Sequence, residues 1–277
     1  MIEGHSEGSR RASELPSALE SREEIAALLA ARRPAMFLDY DGTLTPIVSQ
    51  PEEAVLADSM RDVLSELAQL CIVAIVSGRD RADVQPLVGL DGLVYAGSHG
   101  FDIKGPDGLR MEHTGGRECL PDLDSAEREL RARIEPIPGA RVERKRFAIA
   151  NHYRNVADAD VPKVEAAVRE VLGMYGRLRM SAGKKVYELR PDIDWDKGRA
   201  VLWLLEALGL DGVDVLPFYL GDDVTDEDAF RVLGERGIGV LVGTPSYLTH
   251  ARYGLRDTSE VEQLLAGLVN LLRGGGR

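Results

Sequence analysis

The stretch AMFLDYDGTLTP, residues 35–46, decides the fold because a short apolar run ends in acidic residues and a glycine turn. Residues 35–39 predict a buried strand that ends at Asp39. Side chains alternate along a strand, so Asp39 and Asp41 share one side while Tyr40 points away. Two carboxylates about 4 Å apart repel by roughly 4 kcal/mol at an effective dielectric constant of about 20. A bound cation or one protonated carboxyl group would relieve this repulsion; the structural alternative is a simple strand-end turn.

Outside this stretch, short apolar strands alternate with amphipathic helices, which indicates a parallel sheet covered on both faces. Between residues 104 and 192 the pattern changes to paired strands and charged helices, typical of an antiparallel α+β block. We therefore predict an α/β fold: a Rossmann-like parallel-sheet core with an inserted α+β cap domain. The predicted divisions are a polar tail and N-terminal helix over 1–32, a core over 33–103 and 193–273, and the cap over 104–192. Residues 1–16 are expected to lack fixed structure, and the first helix to run from Ser17 to Arg32.

The composition of the 277 residues narrows the class of protein. Hydrophobic residues make up 44% and charged residues 29%, as in ordinary soluble globular proteins. No stretch reaches the roughly 18 consecutive apolar residues of a membrane span, and the N-terminus lacks the apolar segment of a secretory signal. The formal net charge of −12, without a basic face, argues against nucleic-acid binding. Cys71 and Cys119 lack metal-ligand spacing, which indicates inert thiols in a reducing compartment, so we expect a cytoplasmic protein. We also expect a monomer.

Two further polar signals lie next to predicted strands or helices. Ser77 follows a predicted strand in VSGRD, residues 76–80, where its hydroxyl and the next backbone N–H groups could hold a phosphoryl oxygen. A structural Ser-Gly turn is the alternative. Lys197, in DWDKG (194–198), lies in the first turn of a predicted helix. A cation there opposes the helix dipole at a cost of about 0.3–1 kcal/mol, which favours a chemical role over chance placement.

An acidic cluster follows a buried strand in YLGDDVTDEDAF, residues 219–230. Asp222 and Asp223 at the strand end are suitable oxygen ligands for octahedral Mg²⁺. Residues 226–228 are expected only to begin a helix, where acidic side chains are favoured in the first turn. A solvated acidic turn is the structural alternative for the whole cluster.

In the order DxDGT, Ser, Lys and GDD, these motifs resemble those of the haloacid-dehalogenase-like phosphohydrolases. The resemblance implies that Asp39 is a nucleophile attacking phosphorus and that Asp41 is a general acid and then a base. It implies that Ser77 and Lys197 hold the phosphate. It also implies a Mg²⁺ cofactor bound by Asp39, the carbonyl of Asp41 and Asp222, with Asp223 assisting.

The cap carries the polar segments ERKRFAIANHYRN (143–155) and GKKVYELRP (183–191). With GSHG (97–100) and the core motifs, they resemble the trehalose-6-phosphate phosphatase family, a match that runs over most of residues 36–243. Alternation puts Glu143 with Lys145 on one face, whereas Lys185 and Glu188 can act together only across a bulge or strand end. The resemblance implies a small-molecule sugar phosphate as partner and these substrate-binding residues: Gly78, Arg79, His99, Glu143, Lys145, Asn151, His152, Arg154, Lys185 and Glu188.

Three alternatives remain open at this point. A charged solvent face of an antiparallel sheet would account for the cap pattern without a ligand. The same chemistry could act on another sugar phosphate, such as sucrose or glucosylglycerol phosphate, or belong to a phosphosugar mutase. A protein of another class would be a silent phosphatase-like domain that only binds a sugar phosphate or a synthase partner.

Overall fold

The protein, represented by a computed structural model, is described over residues 9–48, 53–183 and 185–274. It forms two compact units: residues up to Arg110 together with those from Trp195 onward, and Met111–Asp194. The strands are β1 (Arg10–Arg11), β2 (Arg33–Leu38), β3 (Ile72–Val76), β4 (Val94–Gly97), β5 (Asp102–Lys104), β6 (Arg110–Glu112), β7 (Arg141–Lys145), β8 (Ala148–His152), β9 (Leu178–Gly183), β10 (Val186–Pro191), β11 (Val215–Gly221), β12 (Ile238–Val242), β13 (Leu248–Thr249) and β14 (Tyr253–Leu255).

The longer helices bury one apolar face, as their spacing of apolar residues predicts. The helix bounds are α1 (Arg22–Leu29), α2 (Asp58–Ala68), α3 (Arg81–Val88), α4 (Thr114–Glu118), α5 (Leu120–Ile134), α6 (Val161–Leu172), α7 (Lys197–Ala207), α8 (Glu227–Leu233) and α9 (Thr258–Gly274). Within the described ranges, none of them combines the length and the apolar character needed to cross a membrane.

The larger unit is built on a sheet with strand order β14-β12-β11-β2-β3-β4-β5-β6. The six strands from β14 to β4 are parallel, and β5 is antiparallel to β4. Strands β11 and β12 are buried along their whole length, as is β2 after its first residue. Side chains of both faces are therefore covered, which is why the strands are apolar runs without polar alternation. The predicted α/β fold with a Rossmann-like parallel sheet is confirmed.

The smaller unit contains an antiparallel sheet of four strands in the order β7-β8-β10-β9. One face packs against α5 and α6 in an apolar cluster that includes Leu130, Ile149, Val168 and Leu189. The register pairs Glu143 with Ala150 and Ala150 with Glu188, so these three residues share the other face. That face is defined here as the polar face of the smaller unit.

The N-terminal segment differs from the prediction. Residues 1–8 of the predicted tail lie outside the described residues, but Arg10–Arg11 pairs antiparallel with β13. Further along, the N–H of Gly254 donates to Pro16 O at 2.9 Å, and the N–H of Ala18 donates to Gly254 O at 3.0 Å. This segment therefore supplies hydrogen-bond partners to the edge strand β14, which would otherwise present unpaired backbone groups. The helix that follows is also shorter than predicted, since it spans only α1.

Candidate active site

The site is created by the ends of three neighbouring strands. In the sheet, β2 lies between β11 and β3, and all three run parallel. Their carboxyl ends therefore meet at one edge, the usual ligand edge of an open α/β sheet. Asp39 follows β2, Ser77 follows β3, and Asp222 follows β11. Residues distant in the sequence are thus brought together by the topology alone.

Asp39 is buried and lies beside the buried ammonium group of Lys197. The Lys197 Nζ donates to Asp39 Oδ1 at 2.8 Å. Burial raises the pKa of Asp39 well above its ordinary value of 3.8; Lys197 opposes this rise, and the carboxylates of Asp226 and Asp222 add to it. Burial also lowers the pKa of Lys197, but Asp226 and Asp39 more than offset it, so the ammonium stays charged. Burial thus disfavours the charged form of Asp39, and the ammonium group of Lys197 offsets part of this effect.

Asp226 is the functional residue that the sequence prediction missed. It is fully buried, and its Oδ1 accepts from Lys197 Nζ at 2.7 Å and from Tyr219 OH at 2.6 Å. Its Oδ2 accepts the backbone N–H groups of Asp222 at 3.1 Å and Asp223 at 3.0 Å. Asp226 therefore fixes both the lysine and the loop that carries Asp222. Gly221 leaves the space that Asp226 occupies, since any Cβ there would overlap the Asp226 carboxylate.

Three carboxylates in this part of the chain could hold a metal ion. Oxygen atoms of Asp39, Asp222 and Asp226 all lie within 4.8 Å of one another. Since each oxygen of Asp226 already accepts two hydrogen bonds, Asp39 and Asp222 are the better placed ligands. Converging carboxylate oxygens suit a hard divalent cation, so the residues fit such an ion.

Two neighbouring residues refine the metal prediction. The carboxylate of Asp223, expected to assist in metal binding, does not join the group: its Oδ1 accepts the N–H of Val224 at 2.8 Å and so caps the next turn. Gly42 has a φ of +82°, and a Cβ at this position would overlap the carboxylate of Asp222. The glycine of the DGT motif is therefore required both for the turn and for the approach of Asp222 to the nucleophile strand.

Asp41, two residues beyond Asp39, is bound by a guanidinium group. Arg79 Nε donates to Asp41 Oδ2 at 2.7 Å, and Arg79 Nη2 donates to Asp41 Oδ1 at 2.6 Å. Burial lowers the pKa of Arg79, but the hydrogen bonds and charge of Asp41 outweigh it, so the pKa is raised. Arg79 was predicted to bind substrate; in the structure its side chain is engaged with Asp41.

The loop that follows β3 is braced by the GSHG turn. The N–H of Ser98 donates to Arg79 O at 2.6 Å, and the N–H of His99 donates to Ser77 O at 2.9 Å. Ser98 and His99 both have positive φ, +51° and +56°. A Cβ on Gly78 would lie 2.9 Å from the His99 ring. The predicted residues Ser77, Gly78 and His99 are therefore neighbours, and two backbone-strained residues hold the loop in place.

On the polar face of the smaller unit, four predicted residues form two pairs. The His152 ring lies 2.6 Å from Glu143, and Lys145 Nζ donates to Glu188 at 3.2 Å. The hydrogen bond from His152 lowers the pKa of Glu143, against the effect of burial. Arg179 and Arg190 pair in register and share this face, although the prediction did not include them.

The other three predicted residues of this unit are placed differently. Asn151 is a correction: it is fully buried on the opposite face, and its amide donates to the backbone carbonyls of Ile149 and Tyr187. It therefore cannot share a ligand with Glu143, because alternate residues of β8 point to opposite faces. Arg154 is exposed after β8. Lys185 occupies the turn before β10 with a φ of +66°. It therefore lies at a strand end, one of the two arrangements in which it was expected to act together with Glu188.

The chain is similar to known proteins in both sequence and fold. The family model described as Trehalose-phosphatase matches residues 37–259. A trehalose-phosphate phosphatase of Mycobacterium tuberculosis is 48% identical over 270 residues, covering 96% of this chain and 68% of the relative. Probable trehalose-phosphate phosphatase 2 of Oryza sativa is 46% identical over 280 residues, covering 92% and 73%. The C-terminal domain of a trehalose-6-phosphate phosphatase from C. albicans superposes with a TM-score of 0.77 at 25% identity, covering 92% and 98%.

Proposed function

The chain belongs to the trehalose-phosphatase family and is a phosphatase, and we propose that it hydrolyses trehalose 6-phosphate through an aspartyl-phosphate on Asp39. One observation carries the proposal. A buried carboxylate stands at the carboxyl end of a central strand, with Lys197 at 2.8 Å and the carboxylate of Asp222 beside it. This arrangement provides a nucleophile, a fixed cation and ligands for a metal within one small volume.

In the first step, an oxygen of Asp39 forms a bond to phosphorus while the bond from phosphorus to the sugar oxygen breaks. Asp41 supplies the proton that the leaving oxygen needs to depart as a hydroxyl group. Lys197 remains charged and offsets the negative charge shared by the nucleophile and the transferring group. Ser77 and the backbone N–H groups after it would hold the phosphoryl oxygens.

In the second step, a water molecule gives a proton to Asp41 and forms a bond to phosphorus. The bond from phosphorus to Asp39 then breaks, which releases phosphate and regenerates the carboxylate. Asp41 returns to its starting protonation state because it gains here the proton that it lost in the first step. The same side chain therefore serves as acid and then as base.

We propose that the divalent cation bound at this site is Mg²⁺. Asp39, Asp222 and the carbonyl of Asp41 would hold it, whereas the carboxylate of Asp223 caps the next turn and is left out of the ligand set. When bound, the ion neutralises charge on the phosphoryl group and lowers the electrostatic cost of an ionised Asp39. The support is the oxygen-only donor set of the acidic group.

Recognition of the sugar is assigned to the smaller unit. Glu143, Lys145, His152 and Glu188 offer polar and charged groups on one face, and Arg154 and Lys185 lie at the ends of its strands. Carboxylates and ammonium groups in this arrangement suit the hydroxyl groups of a disaccharide. Asn151 is no longer included.

The location and the oligomeric state are proposed on the sequence alone. We propose a monomer that acts in the cytoplasm on a small-molecule sugar phosphate. Light scattering of the purified protein and fractionation of source cells would test the two statements separately.

The function is tested by measuring phosphate release from trehalose 6-phosphate, glucose 6-phosphate and sucrose 6-phosphate, each with Mg²⁺ and with a chelator. We expect Mg²⁺-dependent hydrolysis with a strong preference for trehalose 6-phosphate. Preference for another sugar phosphate would leave the role of Asp39 intact but rule out trehalose 6-phosphate as the preferred substrate. Absence of hydrolysis of all three would indicate the silent binding domain.

A further inference from the structure

The contact between Arg79 and Asp41 has a geometry that fixes a carboxyl group in one orientation. Two nitrogen atoms of one guanidinium donate to the two oxygens of one carboxylate, at 2.7 and 2.6 Å. The side chain of Asp41 is 40% exposed, whereas that of Arg79 is only 14% exposed. A bidentate contact of this kind defines the carboxylate plane as well as its position, which a single ammonium contact does not.

Arg79 is itself held from several directions. Its guanidinium carbon lies 5.5 Å from the ring centroid of Tyr40, and the Tyr40 hydroxyl donates to Ala54 O at 2.7 Å. Its backbone N–H donates to Ser77 Oγ at 3.1 Å, and its carbonyl accepts the N–H of Ser98 at 2.6 Å. The half-exposed Asp41 thus depends on a partner that is packed into the larger unit.

From this geometry we propose that Arg79 is the positioning residue for Asp41: it orients the carboxyl group that gives its proton to the leaving oxygen of the sugar. Arg79 keeps all its own protons; the proton moves from Asp41 to the leaving oxygen as the bond from phosphorus to that oxygen breaks. Loss of orientation is costly, since misplacing a reacting group by about 1 Å can lower the rate about 10²-fold. The inference rests on the proposed function, because only that reaction gives Asp41 a proton to deliver.

A positioning role differs measurably from direct binding of the phosphate, one form that the predicted substrate binding by Arg79 could take. A cation that binds the phosphoryl group serves every phosphate monoester alike. Orientation of Asp41 serves only those monoesters whose leaving group needs a proton. The sugar oxygen of trehalose 6-phosphate needs one, whereas p-nitrophenolate departs without one.

The experiment measures kcat/KM on trehalose 6-phosphate and on p-nitrophenyl phosphate for the wild type, Arg79→Gln, Arg79→Lys and Asp41→Asn. This constant covers only steps up to departure of the leaving group, so hydrolysis of the aspartyl-phosphate does not enter it. We expect Arg79→Gln to lose roughly 10- to 100-fold on trehalose 6-phosphate and at most about threefold on the aryl ester. Asp41→Asn should show the same selectivity, and Arg79→Lys a smaller loss.

The matched control is Arg81→Gln, which removes another partly buried arginine whose Nε donates to Asp102 at 3.0 Å. Its ratio of kcat/KM on the two substrates should equal that of the wild type, whatever it does to stability. Adding Arg79→Gln to Asp41→Asn should lower the ratio no further, since the two residues act through one group.

Three outcomes distinguish a failure of the positioning role from a failure of the proposed function. Equal losses of Arg79→Gln on both substrates would overturn the positioning role and indicate phosphate binding. An altered ratio for Asp41→Asn with an unaltered ratio for Arg79→Gln would also overturn it, while the proposed function stands. A wild type that hydrolyses neither substrate with Mg²⁺ would instead overturn the proposed function.

Discussion

The carboxyl edge of the large sheet and the polar face of the smaller unit use the same residue types in opposite ways. At the sheet edge, the side chains of Lys197, Asp39 and Asp226 are 3%, 6% and 0% exposed. On the polar face, the side chains of Lys145 and Glu188 are 24% and 14% exposed and lie 3.2 Å apart. Buried charges interact strongly and tolerate no loss of a partner, whereas partly hydrated charges adapt to a ligand. The first region is suited to chemistry and the second to recognition.

The largest expected effect is that of Lys197→Ala. Its removal leaves two buried carboxylates without their shared cation, so we expect a loss of about 3–5 kcal/mol in the free energy of unfolding, together with loss of phosphatase activity. Chemical denaturation of the metal-free protein measures the loss in the free energy of unfolding. Lys145→Ala is the matched control and should cost at most about 1 kcal/mol. Equal losses of stability in Lys197→Ala and Lys145→Ala would contradict the distinction between the sheet edge and the polar face.

The second effect concerns the space at Gly42. In Gly42→Ala a new Cβ would collide with Asp222, so we expect about a 10²-fold lower kcat/KM for trehalose 6-phosphate. Gly92 has nearly the same φ, +83°, but no atom within 4 Å of such a Cβ. Gly92→Ala therefore carries the backbone strain without the collision and should retain wild-type activity. Similar activity losses in both variants would mean that strain, not access of Asp222, is responsible.

A smaller effect is expected for Glu188→Gln on the polar face. Loss of a charged acceptor for sugar hydroxyls and for Lys145 should raise KM for trehalose 6-phosphate roughly tenfold, the equivalent of about 1.4 kcal/mol. The kinetic constants for p-nitrophenyl phosphate should stay unchanged. Glu129→Gln, which removes a helix-surface partner of Arg133 in the same unit, is the control. A loss of kcat for both substrates would contradict a role confined to recognition.

The smallest effect is a dependence of stability on pH at Glu143. Its pKa in the folded protein is lowered from 4.5, chiefly by the hydrogen bond from His152. Its contribution is therefore fully present above pH 4.5 and is lost as the pH falls through the folded-state pKa. We expect Glu143→Gln to be less stable than the wild type at pH 7 by at most about 1 kcal/mol, with the difference shrinking below pH 4.5.

Urea denaturation at several pH values measures this difference. His152→Ala removes the same hydrogen bond and serves as the matched control, because adding Glu143→Gln to it should have little further effect. A stability difference between wild type and Glu143→Gln that grows towards low pH would be opposite to the expected trend. It would contradict a lowered pKa of Glu143 as the cause.

The sheet edge was predictable because its residues follow from strand ends. Asp39, Ser77 and Asp222 each come directly after an apolar run, and parallel strands align their carboxyl ends. Lys197 was predicted for a different reason, because a cation in the first turn of a helix is disfavoured by the helix dipole. Features that depend on a neighbour in space were not predictable in this way. Asp226 lies 29 residues from Lys197 in the sequence and appeared only to begin a helix.

On the polar face, alternation along β8 could have excluded one residue. Asn151 is adjacent to His152, so the two must point to opposite faces of the strand. The resemblance to a family placed both near the sugar, and the register corrects it. The pairing of Arg10–Arg11 with β13 was missed because a polar, charged segment gives no apolar signal. Its order comes from the edge strand that it covers.

We expect the phosphoryl group to pass through Asp39, which can be tested by locating the phosphorylated residue during turnover. The protein would be mixed with trehalose 6-phosphate and Mg²⁺, quenched in acid within milliseconds to seconds, digested and examined by mass spectrometry. We predict a phosphoryl group on the peptide that contains Asp39, and none with Asp39→Asn, which should also lack turnover. Turnover of the wild type without phosphate on Asp39, or normal turnover of Asp39→Asn, would contradict the account.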